Sequence, residues 1–570
     1  MATTTGDRPR PIWPDDPMDR LLAFAASAHL RAAALLVLIS VAAFLPGFFQ
    51  IPPMDRDEPR FAQATKQMLE TGDFIDIRLQ DEVRYKKPVG IYWLQAAAVA
   101  AGEALGVPNA RTKIWLYRIP SLIGAIGAVL LTYWTALAFV PPRYAFLAGL
   151  MLAGSVLLNV EARLAKTDAM LLLTILAAMG ALARAYLGRV ARQSGLALPA
   201  IFWTAIAAGV LLKGPVIVLV VGLTAATLVI HDRSARWLAD LRPAIGFVWA
   251  VALVSPWFLA ILSRAGESFL TESVGRDMLP KLVSPQEGHG APPGYYLLLF
   301  WVTFWPAAPL AALAAPAAWA ERRERGPVFL LAWLVPSWIA FELVVTKLPH
   351  YVLPLYPAIA ILIARALWNG ALANSVWLKR STLGWPIIAA LVPIVGVVAL
   401  VAMRHQLGLL AWPFGAVAMV MGFMAWRYYE LDGPEKSLLR AIAALILIAI
   451  AFLGIIAPSL RPLFPSATLA RLLSAEDCDY RVVAAAGYSE PSLVFLIGTT
   501  IRLTDGAGAA EVLHEGYCRF ALVESREQRA FAQRAEAIGL LYAAGPRVDG
   551  INISDGHAVS IVIYRSARTP

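Results

Sequence analysis

About thirteen stretches of this 570-residue chain are apolar over close to the 20 residues that an α-helix needs to cross a hydrocarbon layer. They fall at 30–50, 117–139, 144–160, 167–187, 198–213, 215–231, 243–263, 294–319, 327–346, 352–369, 383–403, 407–426 and 439–458. The pair 198–213 and 215–231 is short, and only Lys213-Gly214-Pro215 marks its junction. Residues are 59% hydrophobic and 15% charged, whereas a soluble domain carries about 25% charge. The fold class is therefore a polytopic α-helical membrane protein. A net charge of +10 is not a nucleic-acid signal in such a chain, because cytoplasmic loops of membrane proteins collect Lys and Arg.

That bias also sets the expected orientation. With residues 1–29 as a cytoplasmic tail, the basic loops at Arg143, at Arg184, Arg189 and Arg192, at Arg233, Arg236 and Arg242, at Arg322, Arg323 and Arg325, at Lys379 and Arg380, and at Arg427, Lys436 and Arg440 all lie inside. An odd number of spans then places the C-terminal region outside. No small-residue cleavage site follows the first apolar run, so it reads as a span and not a cleaved signal. Both cysteines, Cys478 and Cys518, fall in the exported part. One disulfide in an oxidising compartment is the expectation, with two separate buried thiols as the alternative.

The cations on the opposite side carry the functional information. Arg56, Arg60, Lys86, Lys87, Arg163, Lys166, Lys213, Arg276, Lys281 and Lys347 gather outside, beside Asp57, Glu58, Glu161 and Asp168. Charges held against span ends are expected to serve an anionic ligand at the membrane surface, and a lipid phosphate fits. The densest island is Met54–Pro88, within a first outer loop over 51–116. Phe61, Ala64, Thr65, Met68 and Leu69 are spaced for an amphipathic helix from Glu58 to Thr71, lying in the interface and ended by Gly72. Asp57 and Glu58 stand at its positive end, where helix capping alone is the alternative. Residues 88–105 form a second apolar segment without a basic flank, read as interfacial.

Asp168 opens a fully apolar helix, again with capping as the alternative. Lys213 sits in a Gly-Pro hairpin, where snorkelling would also explain it. The loop 264–293 is long enough to act as a lid, and its His289 is a weak candidate metal ligand without a matching cluster. Thr346–Tyr351 combines Lys347, His350 and Tyr351, a set suited to phosphate. From 459 to 570 the composition changes to a small α/β domain, with strands expected at RVVAAAG, PSLVFLIG, RFALVES and AVSIVIYR and a helix at EQRAFAQRAEAIG.

Taken together, several motifs resemble the C-type membrane glycosyltransferases, the branch of aminoarabinose lipid A transferases and protein O-mannosyltransferase-like enzymes. They are Asp57-Glu58-Pro59-Arg60-Phe61, the run Met68–Asp73, Tyr85-Lys86-Lys87-Pro88 with Tyr92-Trp93, Lys166-Thr167-Asp168, Lys213-Gly214-Pro215, and Lys347–Pro354. The resemblance covers about residues 30–370. It implies a membrane catalytic domain over 30–458 with juxtamembrane helices and an exported C-terminal domain. It implies inverting transfer of a sugar from a polyprenyl phosphate to a periplasmic glycolipid such as lipid A, a glycan or a protein. Asp57 would be the catalytic carboxylate, with Glu58 and Asp168 beside it. Arg60, Lys87, Lys213, Tyr351, Lys347 and Tyr85 would hold the donor phosphate.

One position departs from that branch: Lys86 stands where a Glu implicated in a metal site is usual. No cofactor is required by the sequence, and a divalent metal is left open. The extra cation suits an acidic donor sugar or pairs with Glu82. Expected partners are the lipid-linked donor, the acceptor and membrane lipids, with no nucleic acid. The competing readings are a lipid-linked sugar transporter, which should show repeats and midplane charges, and a polysaccharide polymerase or ligase, which would lack the Asp57-Glu58 signature.

Overall fold

The computed structural model describes residues 16–54, 57–188, 195–278, 290–476, 478 and 481–567. Eight of its helices are long and apolar enough to cross a membrane: Ile114–Ala136, Asp168–Tyr186, Pro243–Ala265, Arg325–Leu343, Pro349–Trp368, Val376–Arg404, Leu409–Arg427 and Pro434–Ser459. Four shorter apolar helices, His29–Phe44, Ala197–Lys213, Val216–Asp232 and Ala308–Ala320, accompany them. The chain is a multi-pass membrane protein.

In chain order the first elements are α1 (Pro17–Ala26), α2 (His29–Phe44), α3 (Asp57–Thr71), a hairpin of β1 (Arg78–Leu79) and β2 (Glu82–Val83), α4 (Gly90–Ala104), α5 (Ile114–Ala136), α6 (Pro142–Ala153), α7 (Val156–Glu161), α8 (Asp168–Tyr186), α9 (Ala197–Lys213), α10 (Val216–Asp232) and α11 (Pro243–Ala265). The stretch read as a tail thus contains a helix. Asp16 caps α1, and Lys436 pairs with both Asp16 and Asp19.

Two apolar runs that read as single helices are interrupted. The run at 144–160 divides into α6 and α7 at Gly154-Ser155, and the run at 294–319 divides into Tyr295–Thr303 and Ala308–Ala320 around Trp305-Pro306. Backbone groups freed in a membrane must find partners within the protein. Here the two interruptions supply each other: Val156 N–H donates to the Trp305 carbonyl at 3.2 Å. Two indoles complete the set. Trp385 Nε1 donates to the Pro306 carbonyl at 2.8 Å, and Trp305 Nε1 donates to the Gly384 carbonyl at 3.1 Å.

Two close helix approaches shape the end of the bundle that carries residues 51–116. A Cβ at Gly124 of α5 would lie 2.7 Å from the Met170 nitrogen of α8, and one at Gly90 of α4 would lie 2.7 Å from the Leu211 carbonyl of α9. Bare glycine at both positions lets the start of α8 and the end of α9 draw in toward the first outer loop.

The C-terminal strands β3 (Val482–Ala486), β4 (Arg502–Thr504), β5 (Arg519–Glu524), β6 (Tyr542–Ile551) and β7 (Ala558–Ser566) form one sheet in the order β4-β3-β5-β7-β6. β3 pairs in parallel with β4 and β5, while β7 pairs antiparallel with β5 and β6. β3 and β5 are buried on both faces, which suits their unbroken apolar runs. PSLVFLIG is not a strand. Glu490 is extended before Pro491, whose ring favours a first helical turn, and Gly498 ends a helix over Pro491–Ile497. Cys478 and Cys518 are joined by a disulfide.

Candidate active site

The first outer loop and the starts and ends of several spanning helices meet at one end of the bundle. The loop 162–167 is pinned there by three elements. Glu58 of α3 accepts from the Ala165 N–H at 3.0 Å, Gln95 of α4 donates to the Ala165 carbonyl at 3.1 Å, and Ser121 of α5 donates to the Lys166 carbonyl at 3.1 Å. Thr65 of α3 donates to Gln95 at 2.7 Å, closing the ring. Asp168 and Lys166 are thereby fixed next to the helix that begins with Asp57.

A cavity of about 490 Å³ opens beside them. Its polar lining comes from Asp168, Lys213, His350 and Tyr351, together with Lys86 and Lys87, and the rest is largely apolar, including Leu171, Val216, Phe258 and Phe341. Lys213 closes α9, and Gly214 at φ +65° turns the chain straight into α10. Its ammonium forms an ion pair with Asp168 and lies 5.4 Å from the centre of the Tyr351 ring. His350 stands between two acids, Nε2 3.7 Å from Asp168 and Nδ1 3.7 Å from Glu161. Lys166 completes the cluster, 3.5 Å from Glu161.

Asp57 is not part of the cavity wall. Its side chain is 41% exposed and lies 3.8 Å from Arg60. Burial pushes its carboxyl pKa up, but Lys166, Arg84 and Arg60 outweigh that, so it lies below the ordinary carboxylate range. Asp57 is thus ionised and electrostatically tied to Lys166, the same lysine that faces Glu161.

Other expected site residues are placed differently. Glu58 faces away from the cavity. It is fully buried and bound by Arg118 through Nε at 2.7 Å and Nη2 at 3.0 Å, with the Met54 and Ala165 N–H groups filling its remaining positions. A carboxylate so saturated holds structure and has no free lone pair for a substrate. Lys347 is also turned from the cavity. Its ammonium takes the Glu342 and Val344 carbonyls at 2.9 and 2.7 Å, capping the helix Arg325–Leu343. Arg163 does the same for the end of α2, donating to the carbonyls of Ala43 and Pro46. Tyr85 lines the cavity, but its hydroxyl donates to Asp76 at 2.7 Å, and burial with that bond pushes its pKa up to about 12. His289 and the lid segment 279–289 lie outside the described residues.

Glu161 and His350, noted in the sequence only as members of charged outer groups, sit at the centre of this geometry, and Arg118, which no motif singles out, anchors it. Arg118 is the one charge inside the apolar run 117–139, and an intramembrane charge is itself a signal. The α3 helix differs as well. It does not lie exposed in the interface, because its polar face is covered by the C-terminal region.

Ligand atoms of Glu161, Asp168 and His350 all lie within 4.8 Å of one another, a spacing open to a divalent cation. The neighbouring charges fit a metal poorly. Two ammonium groups, Lys166 and Lys213, already occupy the carboxylates, and a divalent ion would have to expel them.

Residues 54–269 match the family described as dolichyl-phosphate-mannose-protein mannosyltransferase. The chain is 28% identical over 345 residues to the undecaprenyl phosphate-alpha-4-amino-4-deoxy-L-arabinose arabinosyl transferase of Pseudomonas aeruginosa, covering 59% of this chain and 61% of that protein. It is equally 28% identical over 342 residues to the transferase of that name from Erwinia tasmaniensis, covering 59% and 60%. It therefore spans about six tenths of the length of the curated relatives it matches. Its fold is that of ArnT from Cupriavidus metallidurans: the apo crystal structure superposes with a TM-score of 0.74 at 18% identity, covering 95% of this chain and 100% of that one. The structure of the same protein bound to undecaprenyl phosphate gives 0.72 at 18% identity, covering 94% and 99%. The resemblance to the C-type polyprenyl-phosphate sugar transferases that the sequence motifs carry is borne out by these matches.

Proposed function

We propose that the protein is an inverting glycosyltransferase of the bacterial inner membrane that moves a sugar from a polyprenyl phosphate to a periplasmic acceptor, such as lipid A, another envelope glycan or a protein. Residues 1–29 lie in the cytoplasm, 30–458 form the catalytic membrane domain, and 459–570 form a periplasmic domain. The observation that carries this reading is the apolar cavity that takes its polar lining from Lys213, Asp168, His350 and Tyr351, with the ionised Asp57 close by. The names of the relatives, which act on undecaprenyl-phosphate sugars, support the donor class.

The chemistry follows from the charges. The acceptor oxygen attacks the anomeric carbon while the bond from that carbon to the phosphate oxygen breaks. The electron pair leaves with the polyprenyl phosphate, which goes from one negative charge to two. Lys213 and Lys87, with Arg60 and the Tyr351 hydroxyl, stabilise that growing charge. Asp57 orients a hydroxyl acceptor and takes its proton. Asp168 holds Lys213 in place. The prenyl chain runs along the apolar wall.

Purified protein in nanodiscs, given synthetic polyprenyl-phosphate sugars and lipid A, tests this. Transfer that Asp57→Asn abolishes without loss of donor binding is the expected result. Wild-type turnover by Asp57→Asn, or facilitated movement of the donor across the bilayer of sealed proteoliposomes without transfer, would overturn it.

A further inference from the structure

The helix that begins with Asp57 is held from behind by the C-terminal region. We propose that the segment Phe495–Ile501 is a positioning element for transfer: it sets the pose of α3, and through it of Asp57, against the Lys213–Asp168 pair. This rests on the function proposed above.

At about 100° per residue around a helix, Gln63, Lys66 and Glu70 project from the side of α3 opposite Asp57. All three are engaged by the segment. Lys66 donates to the Phe495 carbonyl at 3.0 Å, Gln63 donates to the Thr499 hydroxyl at 2.8 Å, and that hydroxyl donates in turn to Glu70 at 2.6 Å. A second anchor comes from the β1–β2 hairpin. Gln80 donates to the carbonyls of Thr499 at 3.0 Å and Ile501 at 2.8 Å, while its own backbone is held to α3 by the Gln67 side chain. The Phe495 ring is fully buried, edge-on to Tyr117 at 5.2 Å, and packs among Ala62 and Ala165. Helix, hairpin and the Ala165 loop are thus all registered on one short segment.

The chemistry of the contact argues for position over adhesion. Two chain parts can be glued by apolar surface alone. Here a lysine is buried to 4% exposure for one carbonyl and a carboxylate 3.9 Å away. Buried polar networks of this kind cost desolvation and return a single geometry. The opposite face of α3 rests on Phe61, Ala64 and Met68, a non-directional contact that tolerates rocking. A 15-residue helix is roughly 20 Å long, so a tilt of about 3° moves its end by about 1 Å. Misplacement of that size can cost about 100-fold in rate.

The test uses the full-length protein in nanodiscs with Thr499→Val, Thr499→Ser and Lys66→Met. Thr499→Val keeps the shape and loses the hydroxyl. Its kcat is expected to fall about tenfold, with donor affinity changed far less, because Arg60 alone of the phosphate-binding groups rides on α3 while Lys213, Lys87 and Tyr351 stand on other elements. Thr499→Ser, which keeps the hydroxyl, should restore kcat. Backbone amides of 57–71 should exchange faster in Thr499→Val and Lys66→Met than in wild type. Wild-type kcat in both of these variants, or kcat and donor affinity lost together, would overturn the positioning role. Should the wild-type protein transfer no sugar from any polyprenyl-phosphate donor, the proposed function falls instead. The exchange of 57–71 then still decides the hold: faster exchange in Thr499→Val sustains it and unaltered exchange ends it.

Discussion

The Glu58–Arg118 pair marks Glu58 as a structural carboxylate, unlike its neighbour Asp57, which among the described residues makes no such bonds to the buried scaffold. Each oxygen of Glu58 receives two donors: Oε1 takes Arg118 Nε and the Ala165 N–H, and Oε2 takes Arg118 Nη2 and the Met54 N–H. Glu58→Gln preserves the volume, yet its amide nitrogen must face two of those donors whichever way it turns. Arg118 also donates to the carbonyls of Phe48, Ile51 and Pro52, so an unpaired guanidinium would remain locked in place. Losing one member of a buried pair typically costs about 3–5 kcal/mol, and both side chains here are almost completely enclosed, at 0% and 1% exposure. Thermal unfolding in nanodiscs should show Glu58→Gln and Arg118→Met each destabilised on that scale. Glu58→Leu and Arg118→Met, each costing about 3–5 kcal/mol alone, should together be no worse than the poorer of the two, a coupling of at least about 3 kcal/mol. Residual folded Glu58→Gln protein should still turn over. Unfolding unchanged from wild type, with turnover abolished, would refute the structural assignment and restore Glu58 to the chemistry.

Three further outcomes follow from the site. Because the Asp57 pKa is depressed, its carboxylate persists as pH falls, and kcat/KM should stay flat from neutrality down to about pH 5; an acidic limb with its midpoint near pH 6 to 7 would show a different base. Lys87→Ala should weaken donor binding about tenfold, as loss of a charge-assisted contact does, and unaltered affinity in a fluorescence binding assay would remove Lys87 from the phosphate site. Exhaustive chelation should leave turnover unchanged, because Lys166 and Lys213 already neutralise the acids that a metal would need; loss of activity restored by added divalent metal would show that the ammoniums yield.

Much of the membrane architecture was legible because hydrocarbon admits so few solutions. Length and apolarity mark the spans, and charges crowded at span ends point to Asp57, Asp168 and Lys213. What the sequence hid is the direction of each side chain. Glu58 adjoins Asp57 in sequence yet points to the other side of the helix, into Arg118. Lys347 and Arg163 look like anion binders from their expected place at span ends, but both are taken up by helix carbonyls. Both residues end helices whose last carbonyls lack partners, a demand that hydropathy does not display. PSLVFLIG misled because a five-residue apolar run, Leu493–Ile497, has no periodicity to tell strand from helix, and Pro491 with Gly498 decided it. The contact between α3 and Phe495–Ile501 joins positions over 400 residues apart, which no local pattern reveals.

The facing interruptions at Gly154-Ser155 and Trp305-Pro306 bear on how such a chain can change over generations. Each break is tolerable because the other, together with Trp385, satisfies its backbone. Straightening 144–160 into continuous helix would withdraw the Val156 N–H and strand the Trp305 carbonyl in an oily surrounding, and straightening 294–319 would strand the Val156 N–H and the Trp385 indole. Drift at these two places is therefore expected to be concerted, and a homologue that has lost the indole at 385 should also have mended the break beside it.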